Sequence, residues 1–455
     1  MEFNQYLKPT ISVKQIEIKN YVPDQTNVDI SQQQNNINKL SEIGKEPLLY
    51  YNGIIVPKQN IDGFSLTSSG FLPKIEVYFY DSTSTMRNQA FARDNTIISL
   101  YIDTRTKDAD FSSVLRPIRM DFKITDFSYD EDSGLLYMQG VPDIDELYIE
   151  DIASYPDMTS WDCLKKVASN LKLGFYSNIN NSDDKMNWLN YSLENYIFIK
   201  DTIKKAYKTE NSFFTTYIDY YYNLNYVDVE KALSDKTKQV GTITTIPEGF
   251  GESKSQTNQD LYITSSKHTE IRSNITYKSY EILNQSTKIS LDNGYKTLLH
   301  YYDRTGNWKE KAGVFLRFQL ETNTAGEGYI LKDNGSTGEN SFFNKNIKRV
   351  YIQPLDISNV HRNYNYALFN NKNNMEEIDK LIIKIDMNIP NFNFFRYQKI
   401  PVYIFDPIVG NNGNIVNTTL SGEWLIREIN YNYDSKSELQ QELILSKREL
   451  SKTVQ

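Results

Sequence analysis

Helical periodicity holds over one long stretch of this chain, Thr159 to Val229, and nearly everything on either side reads as strand and turn. Within that stretch Leu164, Val167, Ala168 and Leu171 fall at i, i+3, i+4 and i+7, the stripe of an amphipathic helix. Thr159, with Asp162 three residues on, supplies a capping box to start it, and it is expected to close near Gly174. A second stripe runs through Tyr196, Ile199, Ile203, Ala206 and Tyr207, and a third, weaker one places Phe214, Tyr217, Ile218 and Tyr221 on one face. The apolar members of these stripes read first as packing. The tyrosines go further: Tyr217, Tyr220, Tyr221, Tyr222 and Tyr226 cannot share a single face, because consecutive helical residues point in different directions. Some of those rings must meet a second surface, and tyrosine is enriched where proteins meet.

The flanks alternate with a period of two. Ile75, Val77 and Phe79 interleave with Glu76, Tyr78 and Tyr80, and Ile118, Met120, Phe122 and Ile124 with Arg119, Asp121, Lys123 and Thr125. Thr96 to Ile102 is a β-branched run, Asn52-Gly53 between Leu48–Tyr51 and Ile54–Val56 is a hairpin signal, and Asp130 to Gly134 is a second turn. Meandering antiparallel strands joined by such small turns predict a closed or nearly closed barrel. Alternation returns late, in Leu381 to Asn388 and Ile400 to Ile404, then in Glu423 to Tyr433 and Leu439 to Lys447. Ser31 to Asn38, Ser234 to Asp260, Asn334 to Asn344 and Gly410 to Asn414 read as arm, linker and loops. The chain therefore divides into an arm at 1–46, a first β set at 47–158, a helical insert at 159–233, an irregular β region at 234–375 and a second β set at 376–455.

Composition narrows the function. The 34 Tyr and 22 Phe exceed what a single core needs, and such ring-rich β proteins suit large extended interfaces. With 50 basic against 58 acidic residues no cationic face stands out, which disfavours binding driven by nucleic-acid phosphates. A mean hydropathy of -0.57 and no run near the ~20 apolar residues of a span exclude a membrane helix. Met1 to Thr10 lack an apolar core, so a cleaved secretion signal is not expected. The lone cysteine, Cys163, rules out an internal disulfide and reads as a small buried hydrophobe.

Candidate chemistry is thin. Asp183-Asp184 sits among Asn and Ser and reads as a solvated turn, as do Asp130, Glu131 and Asp132. His268, His300 and His361 lack the close spacing of a metal motif and read as surface or packed histidines, while Gly249 and Gly251 lack the Lys and Ser/Thr of a phosphate loop. No catalytic, metal-binding or cofactor-binding residue is assigned, and no cofactor is expected.

The order of several segments resembles the baseplate hub proteins of contractile-tailed phages. They are Leu171-Lys-Leu-Gly-Phe175, Asp183-Asp-Lys-Met-Asn-Trp188, Ala206-Tyr207, Ser212-Phe-Phe214, Tyr217-Ile-Asp219 and Tyr222-Asn-Leu-Asn-Tyr-Val227, then Asn359-Val-His-Arg-Asn-Tyr364, Gln398-Lys-Ile-Pro-Val402 and Leu420-Ser-Gly422 through Ile429-Asn-Tyr431 to Glu449. The match covers most of the chain from about Pro47 onward. It implies an α+β, mainly β fold with two tail-tube-like β-barrel domains, a small helical insert and an additional irregular β region. It further implies a homotrimer whose six barrels surround a channel, joining the sixfold tail tube to the threefold central spike within the virion tail baseplate, assembled in the host cytoplasm. The partners would be the chain itself, the tail tube protein, the central spike protein, other baseplate or wedge proteins and phage DNA passing without specific binding. On this reading Tyr78, Tyr80, Tyr217, Tyr220, Tyr221, Tyr222 and Trp424 are the candidate interface rings. A tail-associated cell-wall-degrading enzyme would instead show convergent carboxylates in a deep cleft, and a receptor-binding tail protein a repetitive fibre or an exposed aromatic platform.

Overall fold

The computed structural model describes residues 47–81, 86–88, 96–102, 118–234, 262–267, 275–284, 296–303, 313–318, 328–330, 349–355, 360–379, 381–392, 394–407, 414–417, 419–435, 438–447 and 449–451. The Gln/Asn-rich arm, the linker from 235 to 260, the loop at 334–344, His268, Gly249 and Gly251 lie outside them. The fold is α+β, mainly β.

The first β set comprises β1 (Leu48–Tyr51), β2 (Ile54–Ile55), β3 (Ile61–Thr67), β4 (Lys74–Tyr80), β5 (Ile97–Ile102), β6 (Ile118–Asp130) and β7 (Leu135–Pro142). Asn52 and Gly53 turn β1 into β2 with φ of 47° and 81°, the left-handed pair that a two-residue hairpin needs. At the β6–β7 turn the Asp130 carboxylate accepts from Asp132 N at 3.1 Å and Ser133 Oγ at 2.5 Å. Alternation then does what the sequence predicts: Ile75, Val77 and Phe79 are buried with Ile98, Leu100, Met120, Phe122, Leu136 and Met138. Tyr78 and Tyr137, directly paired across β4 and β7, stay on the other face with ring centroids 4.8 Å apart.

The insert follows. β8 (Glu150–Met158) leads into α1 (Ser160–Asn170), and Thr159 Oγ1 accepts from Asp162 N at 3.1 Å as the capping box requires. The helix ends before Gly174, because Lys172 takes φ 57° and closes a Schellman motif in which Leu173 N donates to Ala168 O at 2.8 Å and Lys172 N to Ser169 O at 3.1 Å. Gly174 opens β9 (Gly174–Ser177); β10 (Met186–Glu194) returns along β8, and α2 (Asn195–Lys204) carries the second stripe. The third stripe is not a helix. Phe214–Ile218 is strand β11, paired antiparallel with β12 (Asn223–Asp228), which runs parallel to β9 and is followed by α3 (Val229–Ser234). As the middle strand, β12 is buried along its whole length and shows no period-two signal.

The second β set contains β13 (Thr264–Ser265) and β14 (Thr276–Asn284). The next strands are β15 (Lys296–Asp303), β16 (Gly313–Phe318), β17 (Gly328–Ile330) and β18 (Arg349–Leu355), before α4 (Tyr364–Glu377). It ends with β19 (Leu381–Met387), β20 (Lys399–Val402), β21 (Phe405–Pro407), β22 (Asn414–Val416), β23 (Gly422–Asp434), β24 (Gln440–Lys447) and β25 (Glu449–Ser451). The irregular region supplies a separate sheet, β16-β15-β18. The two principal β sets share one 13-stranded sheet, in which β13-β14-β19-β24-β23 continues into β3-β4-β7-β6-β5-β1-β2. Within the second set Ile263 N donates to Pro401 O and Tyr403 N to Ile263 O, both at 2.9 Å. These bonds tie the β13 end back to β20 and complete a ring of pairings through β14, β19, β24 and β23.

Candidate functional site

The two sets meet on one strand. The N-terminal part of β23 pairs with β20, from Val402↔Gly422 to Lys399↔Leu425, while its C-terminal part pairs with β3, from Leu66↔Tyr431 to Gly63↔Asp434. Between those pairings Ile426 still bonds backbone, its N donating to Gln398 O at 2.9 Å and its O accepting from Tyr397 N at 2.6 Å, and from Arg427 to Asn430 side chains take over the strand edge. Ser68 Oγ donates to Ile429 O and accepts from Ile429 N, both at 2.9 Å, and Asn430 Oδ1 accepts from Ser68 N at 3.1 Å. Arg396 donates through Nε to Arg427 O and through Nη1 to Gly70 O, each at 2.8 Å.

Into this seam the insert pushes the β11–β12 hairpin. Asp219 shapes its tip by accepting from Tyr221 N at 2.8 Å and Asn223 N at 2.9 Å, which lets Tyr222 adopt φ 59°. Burial raises the Asp219 pKa against the pull of those hydrogen bonds. Tyr220 OH donates to Ile429 O at 2.5 Å, facing β3 where Leu66 O lies 3.4 Å away. Tyr222 OH accepts from Asp121 N of β6 at 2.9 Å. The Arg396 guanidinium lies 4.3 Å from the Tyr217 ring centre, and Tyr217 OH donates to Arg396 O at 3.1 Å. Beside it Arg427 donates to Tyr397 OH at 2.6 Å and to Asp379 at 2.9 Å. Burial pushes the Tyr397 phenol up, but Arg427 and Arg396 outweigh it and hold the pKa below its ordinary value.

The candidate rings therefore divide. Tyr217, Tyr220 and Tyr222 do meet a second surface, and it belongs to the same chain: Tyr217 lies against Arg396 of the second set, Tyr222 against Asp121 of the first, and Tyr220 between Ile429 and Leu66 of the two. Trp424 is likewise internal, 1% exposed, with Nε1 donating to Leu420 O at 2.9 Å. Tyr221 and Tyr78 are half-buried, and Tyr80 is 40% exposed.

A second cluster joins segments that lie far apart in sequence. Asp184 is 0% exposed, so it is no solvated turn; its neighbour Asp183 is exposed. Asp184 Oδ1 accepts from Ser160 N at 2.8 Å and Ser182 Oγ at 2.7 Å, and Oδ2 from Tyr207 N at 2.9 Å and from Ser160 Oγ. The carboxylate thus sits on the first turn of α1, where the helix dipole favours it. Tyr226 OH lies 2.8 Å from Ser160 Oγ, and its pKa is pushed well up by burial and by Asp184. The His361 segment finishes the other helix. His361 Nε2 bonds Lys205 O at 2.9 Å, while Asn371 Nδ2 donates to Lys204 O at 3.0 Å and Ala206 O at 2.9 Å. These satisfy carbonyls that the end of α2 leaves open. Every acceptor position of Asp184 is filled and the serines are buried, so the cluster braces the insert and leaves no space for a substrate.

Among the described residues no group of three or more His, Cys, Asp or Glu is placed to hold a metal ion, and no helix is long and apolar enough to cross a membrane. Sequence reasoning missed the brace because its donors come from positions 160, 182 and 207. The only signal was that Asp184 and Tyr207 each stand in a segment of the resemblance.

No protein-family profile and no curated protein matches the chain. Solved structures with a similar trace include a 43 kDa tail protein of prophage MuSo2 from Shewanella oneidensis, at 10% identity and TM-score 0.49 over 90% of this chain and 100% of that one. A tail protein from Neisseria meningitidis MC58 aligns at 10% identity and TM-score 0.47 over 88% of this chain and 96% of its own. The E. coli c3393 protein, described as a component of the type VI secretion system, aligns at 10% identity and TM-score 0.40 over 89% and 79%.

Proposed function

We propose that this chain is a structural subunit of a phage tail, the baseplate hub that three copies form between the sixfold tail tube and the threefold spike. The observation that carries this reading is the seam: two β sets of one chain fused edge to edge through β23 and β3 and locked by tyrosines of the insert. A chain with two such sets matches threefold to sixfold symmetry, because three copies present six of them. The β sets at 47–158 and 376–455 would be the ring-forming units and the segment 159–233 their brace, with part of 234–375 contributing to the second set. The outer face of β4 and β7, with the Tyr78–Tyr137 pair and exposed Tyr80, supplies rings for contact between copies. A net charge of -8 suits a conduit whose wall must not hold DNA. The tail tube, spike and wedge proteins are the neighbours in this reading, the virion baseplate its location, and its work is mechanical rather than catalytic.

Cryo-EM of the purified assembled chain tests it. A ring of three copies with six β sets around an open axis is expected. A monomer, a twofold dimer or a channel wall lined by Lys and Arg would overturn it.

A further inference from the structure

Helix α4 is built from residues that hold a helix poorly, and it docks through groups that water can replace. Five of the fourteen residues in Tyr364–Glu377 are asparagine, whose amide competes with the helical backbone. Asn363 at the N-cap makes no side-chain cap bond, and the helix has neither an acidic residue in its first turn nor a basic one in its last to suit the dipole. Among its described side chains Ala367 is the one fully buried hydrophobe, with Met375 resting partly buried on the Phe213 and Tyr217 cluster. The rest of the docking is amide chemistry. Besides its bonds to Lys204 O and Ala206 O, Asn371 accepts from Phe214 N at 3.1 Å, and Asn370 Nδ2 donates to Ser212 O at 2.8 Å. The pair thus covers the edge of β11 that faces away from β12.

The two ends of the helix are fastened differently. Behind it Ile378 is buried, and Asp379 is bonded by Arg427 at the seam. In front stands His361, 7% exposed, against the rings of Trp188, Tyr207 and Tyr364. A carbonyl can only accept, so Nε2 carries the proton of the bond to Lys205 O and Nδ1 is the bare nitrogen. Nδ1 is buried and has no hydrogen-bond partner, so a proton added there makes an N–H that meets no acceptor. Asp183 and Asp184, ahead of β10, favour a charge on the ring. Lys205 at the end of α2, with its ammonium 5.8 Å from the Tyr364 ring centre, and Arg362 next in the chain bear the same sign as that charge. Burial outweighs the carboxylates and lowers the His361 pKa.

We propose that α4 is a latch released by acid: His361 leaves its ring-lined site on gaining a proton, the helix opens back to a hinge at Ile378, and the edge of β11 and the last carbonyls of α2 are uncovered. The sheets stay paired, because α4 supplies a strand to none of them. An undocked helix of this composition does not hold its own hydrogen bonds, so release and unwinding are one event. The latch is independent of the hub reading, since it lies within one chain.

Hydrogen exchange of the full chain, followed by mass spectrometry and scaled at each pH to the unstructured rate, tests it. The segment 364–377 should open below the global transition and so be less protected than β19, with the amide of Phe214 opening alongside it. From about pH 7.5 to about pH 5 its protection should fall about three- to thirtyfold, the upper figure being the ceiling for a released imidazole of pKa about 6.5. In His361→Gln, which keeps a donor for Lys205 O but cannot titrate, that fall should vanish. Protection of 364–377 equal to that of β19, protection that does not change with pH in the parent, or an equal fall in the variant would overturn the proposal.

Discussion

Gly63 stands where the two β sets touch, and replacing it with alanine tests that joint. The bulge at Asp62 brings the backbone of β3 against β23, where Gly63 pairs with Asp434 and Ser435 N donates to Asp62 O at 2.8 Å. A Cβ at Gly63 would stand 2.6 Å from the Tyr433 carbonyl oxygen and 3.6 Å from Asp434 Cα. Carbon and oxygen at ordinary contact need about 3.3 Å, so the strands must part by roughly 0.7 Å or the last pairs must open. The obstacle is backbone, held by the stacked Phe64 and Tyr433 rings and by Ser65 Oγ donating to Asn432 Oδ1 at 2.8 Å, and it has no flexible end to yield. Overpacking of this kind costs about 1–3 kcal/mol; with a rigid obstacle the upper part of that range, about 2–3 kcal/mol, is expected. Hydrogen exchange read by mass spectrometry should then show protection in 61–67 and 431–435 falling by roughly 30- to 150-fold, with β5 and β6 unchanged. Unaltered protection in both segments, together with an unaltered denaturation midpoint, would refute the reasoning, because the two sets would not be in close contact there.

Three other outcomes follow from the brace and the core. Asp184→Asn should destabilise the chain by about 1.5–3 kcal/mol in chemical denaturation, since each carboxylate oxygen faces a backbone N–H and an amide group in either orientation sets its NH2 against one of them; a change under about 0.5 kcal/mol, the size of an ordinary surface substitution, would contradict the brace. His361 has its pKa lowered by burial, against the opposing pull of the Lys205 carbonyl and of Asp184 and Asp183. With a folded pKa below the unfolded one, its contribution is present above about pH 6.5 and is lost as pH falls through the folded value. Melting temperature should therefore fall less steeply on acidification in His361→Gln than in the parent, and identical slopes would exclude it. Burial raises the Cys163 pKa strongly, followed by the effect of Asp184, so the thiol should resist Ellman's reagent in the native chain and release one equivalent in denaturant; rapid native reaction would show that the first helix is not packed as described.

Local chemistry was the legible part of this chain. The Asn52-Gly53 turn, the Thr159 cap and the alternation of β4 and β19 each depend on neighbours a few residues away, and each appears where the sequence puts it, while in β6 the alternation is broken at Asp121, which is buried with Met120 and Phe122. Phe214, Tyr217, Ile218 and Tyr221 misled because a buried strand followed by a turn imitates helical spacing, and the fully buried β12 beside it has no alternation to correct the impression. Asp184 looked like a surface turn because its donors arrive from distant segments. The tyrosines announced a second surface without saying whose. Only the pairing of β23 with both β20 and β3 shows that much of that surface lies inside the chain.

Native mass spectrometry of the full-length chain tests the central proposal most directly. A species at three times the 53.0 kDa chain mass is predicted, reduced toward the single chain when Tyr78 and Tyr80 are both changed to Asp. A parent chain that stays at 53.0 kDa across the concentrations at which it is folded would contradict it.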